Sequence, residues 1–385
     1  MSLRKLLFWI HLAAGLVAGL LIALMSLTGA TLAFEKELVA WAEREVRRVA
    51  VPSDATPRLS VDELLQRLRD QHPELLVSAV TVEADPAAAV AFTLGREGTL
   101  YADPYTGALR RPATRRMAAF MGTMTDWHRW LALKEGARAT GKVLNGTANL
   151  MFLSLCITGL ALWWPRNWTR RGLRALLRVN LRLKGRARDW NWHNALGFWT
   201  LPVLVVLTAT AVPISFSWGN ALVYRLAGEA PGTPQAPPPH PPLTPAVPGQ
   251  GPAAWGTVLE RQAAAHPGWS SMTLRSGAPR RGGPEPKGPQ PLHLSLKRSD
   301  AWPRTATTSV LLHPFTGETL QTVRWEDQSP GRRLRIWTRF LHTGEALGPW
   351  GQAVAALACL GALVLVYTGF ALSWRRFFAP PRTGG

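Results

Sequence analysis

Cysteine is nearly absent from this chain: 385 residues hold two, Cys156 and Cys359, each in the middle of an apolar run. That excludes a disulfide framework, and both thiols read as packing residues. No Cys-x-x-Cys-His occurs, which excludes covalent attachment of a c-type haem. No Gly-x-Gly-x-x-Gly occurs either, so the chain is not expected to accept hydride from a nicotinamide by itself. Acids are scarce too, 24 against 44 Lys and Arg, and a net charge of +20 raises the question of nucleic acid. The placement of that charge argues against it.

Long apolar runs are what the chain has in plenty. Residues 6–34, 142–164, 195–218 and 350–374 are each long enough to cross the roughly 30 Å of hydrocarbon in a bilayer, and most end in Trp or Phe. The first follows Arg4 and Lys5 as a secretory signal would. Its apolar core is too long and no clear Ala-x-Ala site follows, so it reads as an uncleaved anchor. Between the second and third runs, residues 165–189 hold nine bases and one acid, Asp189. With Arg4, Lys5, Arg375, Arg376 and Arg382 added, these short segments carry +13 of the net +20. The positive-inside rule then places both termini and the basic loop in the cytoplasm, and segments 35–141 and 219–349 outside. The loop's amphipathic cast suits anionic lipid headgroups rather than nucleic acid.

The two outer segments repeat one another. In the first, Ser60-Val-Asp-Glu63 opens a helix that stops at His72-Pro73; strand-like runs follow at 76–82, 88–94 and 99–102, then the turn Asp103-Pro-Tyr-Thr-Gly107. In the second, after a Pro-rich linker at 230–252, a helix from Val258 stops at His266-Pro267; strands are expected at 292–296 and 307–312, then the turn His313-Pro-Phe-Thr-Gly317. A Gly- and Pro-rich insertion, 276–291, carries Arg280, Arg281 and Lys287. The spans match as well. Thr158-Gly-Leu-Ala-Leu-Trp-Trp164 corresponds to Thr368-Gly-Phe-Ala-Leu-Ser-Trp374, and His11-xxx-Gly15 to His193-xxx-Gly197. The chain is two copies of span, outer domain, histidine, span.

That repeat sorts four of the nine histidines. His11 and His193 enter from the basic edge, while His128 and His342 precede the second and fourth spans on the other edge. An ionisable group in a span is costly and faces the protein interior, and Gly15 and Gly19 below His11 clear a backbone face for a flat ligand or another helix. One imidazole from each side is what a b-type haem needs; a zinc site wants three or four close ligands, which neither edge offers. His128 and His342 lie too far before their spans to be the last turns of straight helices. Helix breaks at 136–146 and 344–351 are expected to tuck them over the bundle. His72, His240, His266, His293 and His313 read as structural or solvated.

The duplicated order, the Pro-Tyr-Thr-Gly turn, Trp127-His128-Arg129 and the Thr158-Gly-Leu-Ala-Leu-Trp-Trp-Pro-Arg166 ending resemble the PepSY-associated transmembrane family, which includes iron-regulated inner-membrane proteins and ferrisiderophore reductases. The resemblance implies an α-helical integral membrane protein: a four-helix bundle with two periplasmic α+β PepSY-like domains in an internal two-fold repeat. The expected layout is transmembrane helix 1 at 1–34, PepSY-like domain 1 at 35–114, and a surface helix with transmembrane helix 2 at 115–164. The basic cytoplasmic loop follows at 165–189, then transmembrane helix 3 at 190–218 and PepSY-like domain 2 with its insertions at 219–334. A second surface helix with transmembrane helix 4 occupies 335–376, and a cytoplasmic tail 377–385.

The family also implies two bis-histidine b haems, His11 with His193 and His128 with His342, in a bacterial inner membrane. Electrons would pass from quinol or a cytoplasmic reductase to a ferric siderophore or other periplasmic ferric chelate, which makes the chain an oxidoreductase of the ferric-chelate reductase type. Tyr105, Phe315, Arg110, Arg111, Arg332 and Arg333 are candidates for lining a chelate cleft between the outer domains. Two further readings stay open: a quinol-linked cytochrome b subunit of a larger complex, and a non-enzymatic PepSY receptor or inhibitor anchored by its spans.

Overall fold

The structure, a computed structural model, describes residues 2–52, 56–165, 168–230, 243–245, 249, 251–277 and 288–378. The elements run α1 (Leu3–Leu32), α2 (Glu35–Ala42), α3 (Arg44–Arg47), α4 (Val61–Gln71), β1 (Ala79–Glu83), β2 (Val90–Thr93), β3 (Thr99–Ala102), β4 (Leu109–Arg110), α5 (Arg116–Trp130), α6 (Arg138–Trp163), α7 (Arg170–Leu177) and α8 (Gly185–Ser215). Then come α9 (Ser217–Leu226), α10 (Trp255–Ala265), β5 (Trp269–Arg275), β6 (Leu292–Arg298), β7 (Thr308–Leu312), β8 (Thr319–Val323), α11 (Pro330–Thr343) and α12 (Gly348–Phe378). Arg166, His240, Arg280, Arg281, Lys287, Arg382 and most of the Pro-rich linker lie outside the described residues.

The chain folds as two units, one helical (Met1–Glu35, Ala118–Gly232, Pro330–Gly385) and one built on a sheet (Lys36–Met117, Thr233–Ser329). In the helical unit, α1, α6, α8 and α12 are each long and apolar enough to cross a membrane. They form a ring in which α1 and α8 each pack against both α6 and α12, so α1 and α8 face one another across the middle. Small side chains fill the interior: Ala18, Ala148, Ala195, Ala358 and Ala362 are buried, while Val17, Leu20, Leu357 and Trp350 are exposed as lipid-facing residues should be.

Helix α8 starts at Gly185, ten residues before the apolar run expected at 195, because its charges are matched within the fold. Asp189 is fully buried between Arg188, 2.8 Å away, and Arg375 of α12, and Arg188 also reaches the Tyr367 hydroxyl at 3.2 Å.

One helix break falls earlier than expected and the other within the expected 344–351. The first lies at 131–137, where Leu131, Ala132 and Glu135 take left-handed φ angles of 54°, 56° and 45°; Gly141 and Gly146 are inside α6. The second lies at 344–347, opened by Gly344 at φ 77°. The glycines serve close packing: a Cβ on Gly141 would stand 2.1 Å from the Trp130 carbonyl oxygen, and one on Gly351 2.3 Å from that of Gly344. Lys134 and Arg138 both pair with Asp126, and Asn145 Nδ2 donates to the His128 carbonyl at 2.7 Å, which ties α5 to α6.

In the sheet unit, α4 begins with the full capping box of Ser60 and Glu63, and both α4 and α10 end at their histidines, His72 and His266. Asp62 of α4 accepts from the Gly256 and Thr257 amides at 3.0 and 3.3 Å, capping the start of α10. Both helices pack on one face of the strands, where Val80, Phe92, Leu100, Met272, Leu274, Leu294 and Leu312 alternate into a single core.

The expectation of two separate α+β domains is corrected here. One antiparallel eight-stranded sheet, in the order β4-β3-β2-β1-β5-β6-β7-β8, takes four strands from each segment. β1 and β5 would each be an exposed edge in a lone four-stranded meander, and pairing them removes two rows of unsatisfied backbone groups.

Candidate functional site

Eight side chains from six helices build two sites, one at each end of the four-helix ring. At the basic end, His11 of α1 and His193 of α8 face each other with ring centroids 6.3 Å apart and planes at 82°. Thr158 of α6 and Thr368 of α12 approach their Nδ1 atoms, each at 2.9 Å. All four helices of the ring therefore contribute one side chain. At the other end, His128 of α5 and His342 of α11 stand 6.3 Å apart with planes at 46°. Thr28 of α1 lies 2.9 Å from His128 Nδ1. His342 Nδ1 is 2.9 Å from the Leu207 carbonyl and 3.4 Å from Thr210 Oγ1, both on α8. On α1 and on α8 alike, the threonine follows the histidine by 17 residues, about 25 Å of helix.

The hydrogen bonds define the tautomer. Each threonine hydroxyl donates to the carbonyl four residues back: Thr158 to Ser154 at 2.7 Å, Thr368 to Val364 at 2.8 Å, Thr28 to Leu24 at 2.7 Å and Thr210 to Val206 at 2.6 Å. With its one proton so used, the hydroxyl oxygen can only accept, so the imidazole nitrogen facing it carries N–H. The lone pair is then on Nε2, the form in which histidine ligates a metal.

A cavity of about 490 Å³ surrounds the His11–His193 pair, within the roughly 300–1,000 Å³ of small-molecule and cofactor pockets. Five glycines line it, Gly15, Gly19, Gly159, Gly197 and Gly369, including both predicted below His11. Arg4, Arg186 and Arg376 also line it, from the basic ends of α1, α8 and α12.

The remaining histidines have other surroundings. His313 Nδ1 accepts from the Phe315 and Thr316 amides, both at 3.3 Å, just as Asp103 accepts from those of Tyr105 and Thr106 at 2.9 and 3.2 Å. It shapes a turn. Burial, with Arg275 nearby, holds the His293 imidazole below its ordinary range, and burial does the same to His266 with Arg324 and Arg298 beside it. His72 is paired with Glu74 at 3.4 Å.

Tyr105 and Phe315 of the predicted cleft lining do not come together. Tyr105 and Phe315 follow β3 and β7, which lie five strand steps apart, roughly 24 Å, and run in opposite directions. The two turns are at opposite edges of the sheet and at opposite ends of its strands, because the sheet continues through β1 and β5 instead of folding into two facing bodies. Tyr105 donates to the Pro86 carbonyl at 3.0 Å, and Phe315 packs near His313. Arg110 of β4 approaches Asp103 at 3.8 Å and Arg111 follows it; Arg332 and Arg333 are in the first turn of α11, in the helical unit.

Sequence reasoning missed the four threonines and the buried Asp189. Two of the threonines stood in plain view in the repeated Thr-Gly-x-Ala-Leu motif, and Asp189 is the lone acid among nine bases. Neither signal says which helix the side chain will meet. No curated protein matches the sequence. The model of the PepSY-associated TM region matches residues 8–376, almost the whole length over which the helices, corners and histidines just described are laid out. The chain belongs to that family and is a membrane protein of it.

Proposed function

We propose that each histidine pair holds one b-type haem and that the chain carries electrons across a bacterial inner membrane to a ferric chelate outside it, as a reductase of the ferrisiderophore type. The observation that carries this reading is the 6.3 Å separation, found in both pairs. Two imidazoles that share one metal at about 2 Å on each side, with roughly 1 Å more from nitrogen to ring centre, end with centroids roughly 6 Å apart. The tautomer fits as well, since Nδ1 is engaged and Nε2 bears the lone pair. So do the glycines of the cavity wall, where a Cβ on Gly159 would stand 3.3 Å from His11 Cε1 and one on Gly19 2.7 Å from the Phe370 ring.

When bound, the two haems supply one-electron transfer, and bis-imidazole ligation leaves no open iron position for oxygen chemistry. The chain's residues do the rest. His11, His193, His128 and His342 fix the two centres near opposite ends of the helices, and Arg4, Arg186 and Arg376 offer cations to carboxylates at the basic end. The basic segments keep that end, and both termini, in the cytoplasm, where quinol or a cytoplasmic reductase is the donor. A ferric chelate suits the far side: one electron weakens a hard-oxygen chelator's hold on iron without breaking the ligand.

The test is anaerobic. The purified protein, if the reading holds, shows a bis-histidine b-type spectrum on reduction. After removal of excess reductant, a ferric hydroxamate should reoxidise it with stoichiometric ferrous iron caught by a trap. Centres that stay reduced with every ferric chelate but are oxidised by quinone assign the chain to a quinol-linked cytochrome subunit instead, and a colourless protein defeats the haem assignment.

A further inference from the structure

Three of the four histidine-bearing threonines are followed by glycine: Thr28-Gly29, Thr158-Gly159 and Thr368-Gly369. Each glycine lies beside the imidazole its threonine holds. A Cβ on Gly29 would come 3.3 Å from His128 Cε1, one on Gly159 3.3 Å from His11 Cε1, and one on Gly369 3.7 Å from His193 Cε1. The dipeptide thus acts on the ring twice: the hydroxyl oxygen accepts the hydrogen bond from Nδ1–H, and the missing side chain lets the Cε1 edge of the ring come close to the helix. The fourth place differs. It reads Thr210-Ala211, the hydroxyl stands off at 3.4 Å, and the Leu207 carbonyl is the nearer partner at 2.9 Å. The equivalent carbonyls of Met25 and Leu365 also hydrogen-bond His128 and His193 beside their threonines, so among the described residues His11 is the ring held by a threonine without such a carbonyl.

We propose that Thr158 is the positioning residue that fixes the tautomer and orientation of His11 for metal ligation, that Thr28 and Thr368 share that task for His128 and His193 with the Met25 and Leu365 carbonyls, and that His342 is held chiefly by the main chain. The proposal rests on the haem reading for its consequence, but its geometry is a property of the haem-free protein. A metal-ligating histidine gains basicity and a fixed ring when its second nitrogen donates to an oxygen, and loss of that acceptor typically costs about 10–100-fold in metal affinity. A carbonyl cannot be deleted by side-chain substitution. The four positions therefore differ in what a mutation can remove.

The experiment uses the full chain in detergent with Thr158→Val, Thr158→Ser and Thr210→Val. In haem-free protein labelled with ¹⁵N-histidine, nitrogen chemical shifts should report Nδ1–H on all four buried rings, lost for His11 alone in Thr158→Val. On titration with haemin, Thr158→Val should weaken the basic-end site about 10–100-fold and shift its midpoint potential and low-spin electron paramagnetic resonance signal, with the other site unmoved. Thr158→Ser should restore all three, and Thr210→Val should weaken the other site less than Thr158→Val weakens its own. Unchanged tautomer and affinity in Thr158→Val, or a Thr210→Val loss as large, overturns the proposal. Should the unmutated chain bind no haem, the proposed function fails and the tautomer measurement still decides the positioning role.

Discussion

The two histidine pairs reach the same separation by different constructions. His11 and His193 are part of the long spanning helices, and packing among α1, α6, α8 and α12 alone sets their distance. His128 and His342 ride on α5 and α11, which end before the spans begin, and each must be turned back onto the bundle by a corner of left-handed residues or glycine. A site built on continuous helices stands as long as the bundle does. A site built on returning helices has extra points at which it can fail while the bundle survives.

Replacing the ligands gives the largest effect and tests whether the ends are independent. His11→Ala or His193→Ala should abolish one of two haem centres, and His128→Ala or His342→Ala the other, counted by haem content and low-temperature visible spectra. Loss of both centres from a single substitution would show that the two constructions are not separable. Next comes the corner. Gly141→Leu forces a side chain into the Trp130 carbonyl and should cost up to about 3 kcal/mol locally, removing the His128–His342 centre from the spectrum while leaving the basic-end centre and the helical circular dichroism in place.

Asp189→Asn works the other way. Arg188 and Arg375 lose their shared carboxylate one turn from His193, a loss of about 2 kcal/mol for charge-assisted hydrogen bonds, and thermal release of haem should move to lower temperature at the basic end only. The smallest effect serves as a control. Ser60→Ala should destabilise the sheet unit by about 1 kcal/mol in a thermal melt with neither centre changed. Hydrogen bonds from the Ser60 backbone and hydroxyl hold the Glu63 carboxyl below its ordinary range, so this cap is intact above the usual carboxylate pKa and is lost as pH falls through the lowered value. The melt of the unmutated chain should therefore approach that of Ser60→Ala in acid.

The spans, the repeat, the capping box and the four histidines were legible in the sequence because each is written in local chemistry: apolar length, Ser-x-x-Glu, a charge or imidazole where lipid forbids one. The start of α8 was not, since Arg186, Arg188 and Asp189 look like loop until Arg375, 186 residues on from Asp189, completes the ion pair. Strand β5 was missed because Met272 and Leu274 alone point into the core among Ser, Ser and Thr, too short an alternation to stand out. The corner at Leu131 and Ala132 could not be read at all, for neither residue favours a left-handed backbone and only the packing of Gly141 on Trp130 demands it. The threonine partners are contacts between residues a hundred or more apart in the chain, beyond any local pattern.

The junction of the sheet records how such a chain can arise. His72-Pro73 and His266-Pro267 mark equivalent places 194 residues apart, and the same offset carries Val80 onto Leu274. Those two residues are directly paired, with Ala79 opposite Arg275 and Thr81 opposite Thr273, so β1 meets its own counterpart about a local two-fold axis. That is the isologous contact of a homodimer. A single ancestral half, with one span pair and one four-stranded meander, would have had this strand free to pair with the same strand of a second copy, and duplication with fusion would then have joined two partners that already fitted.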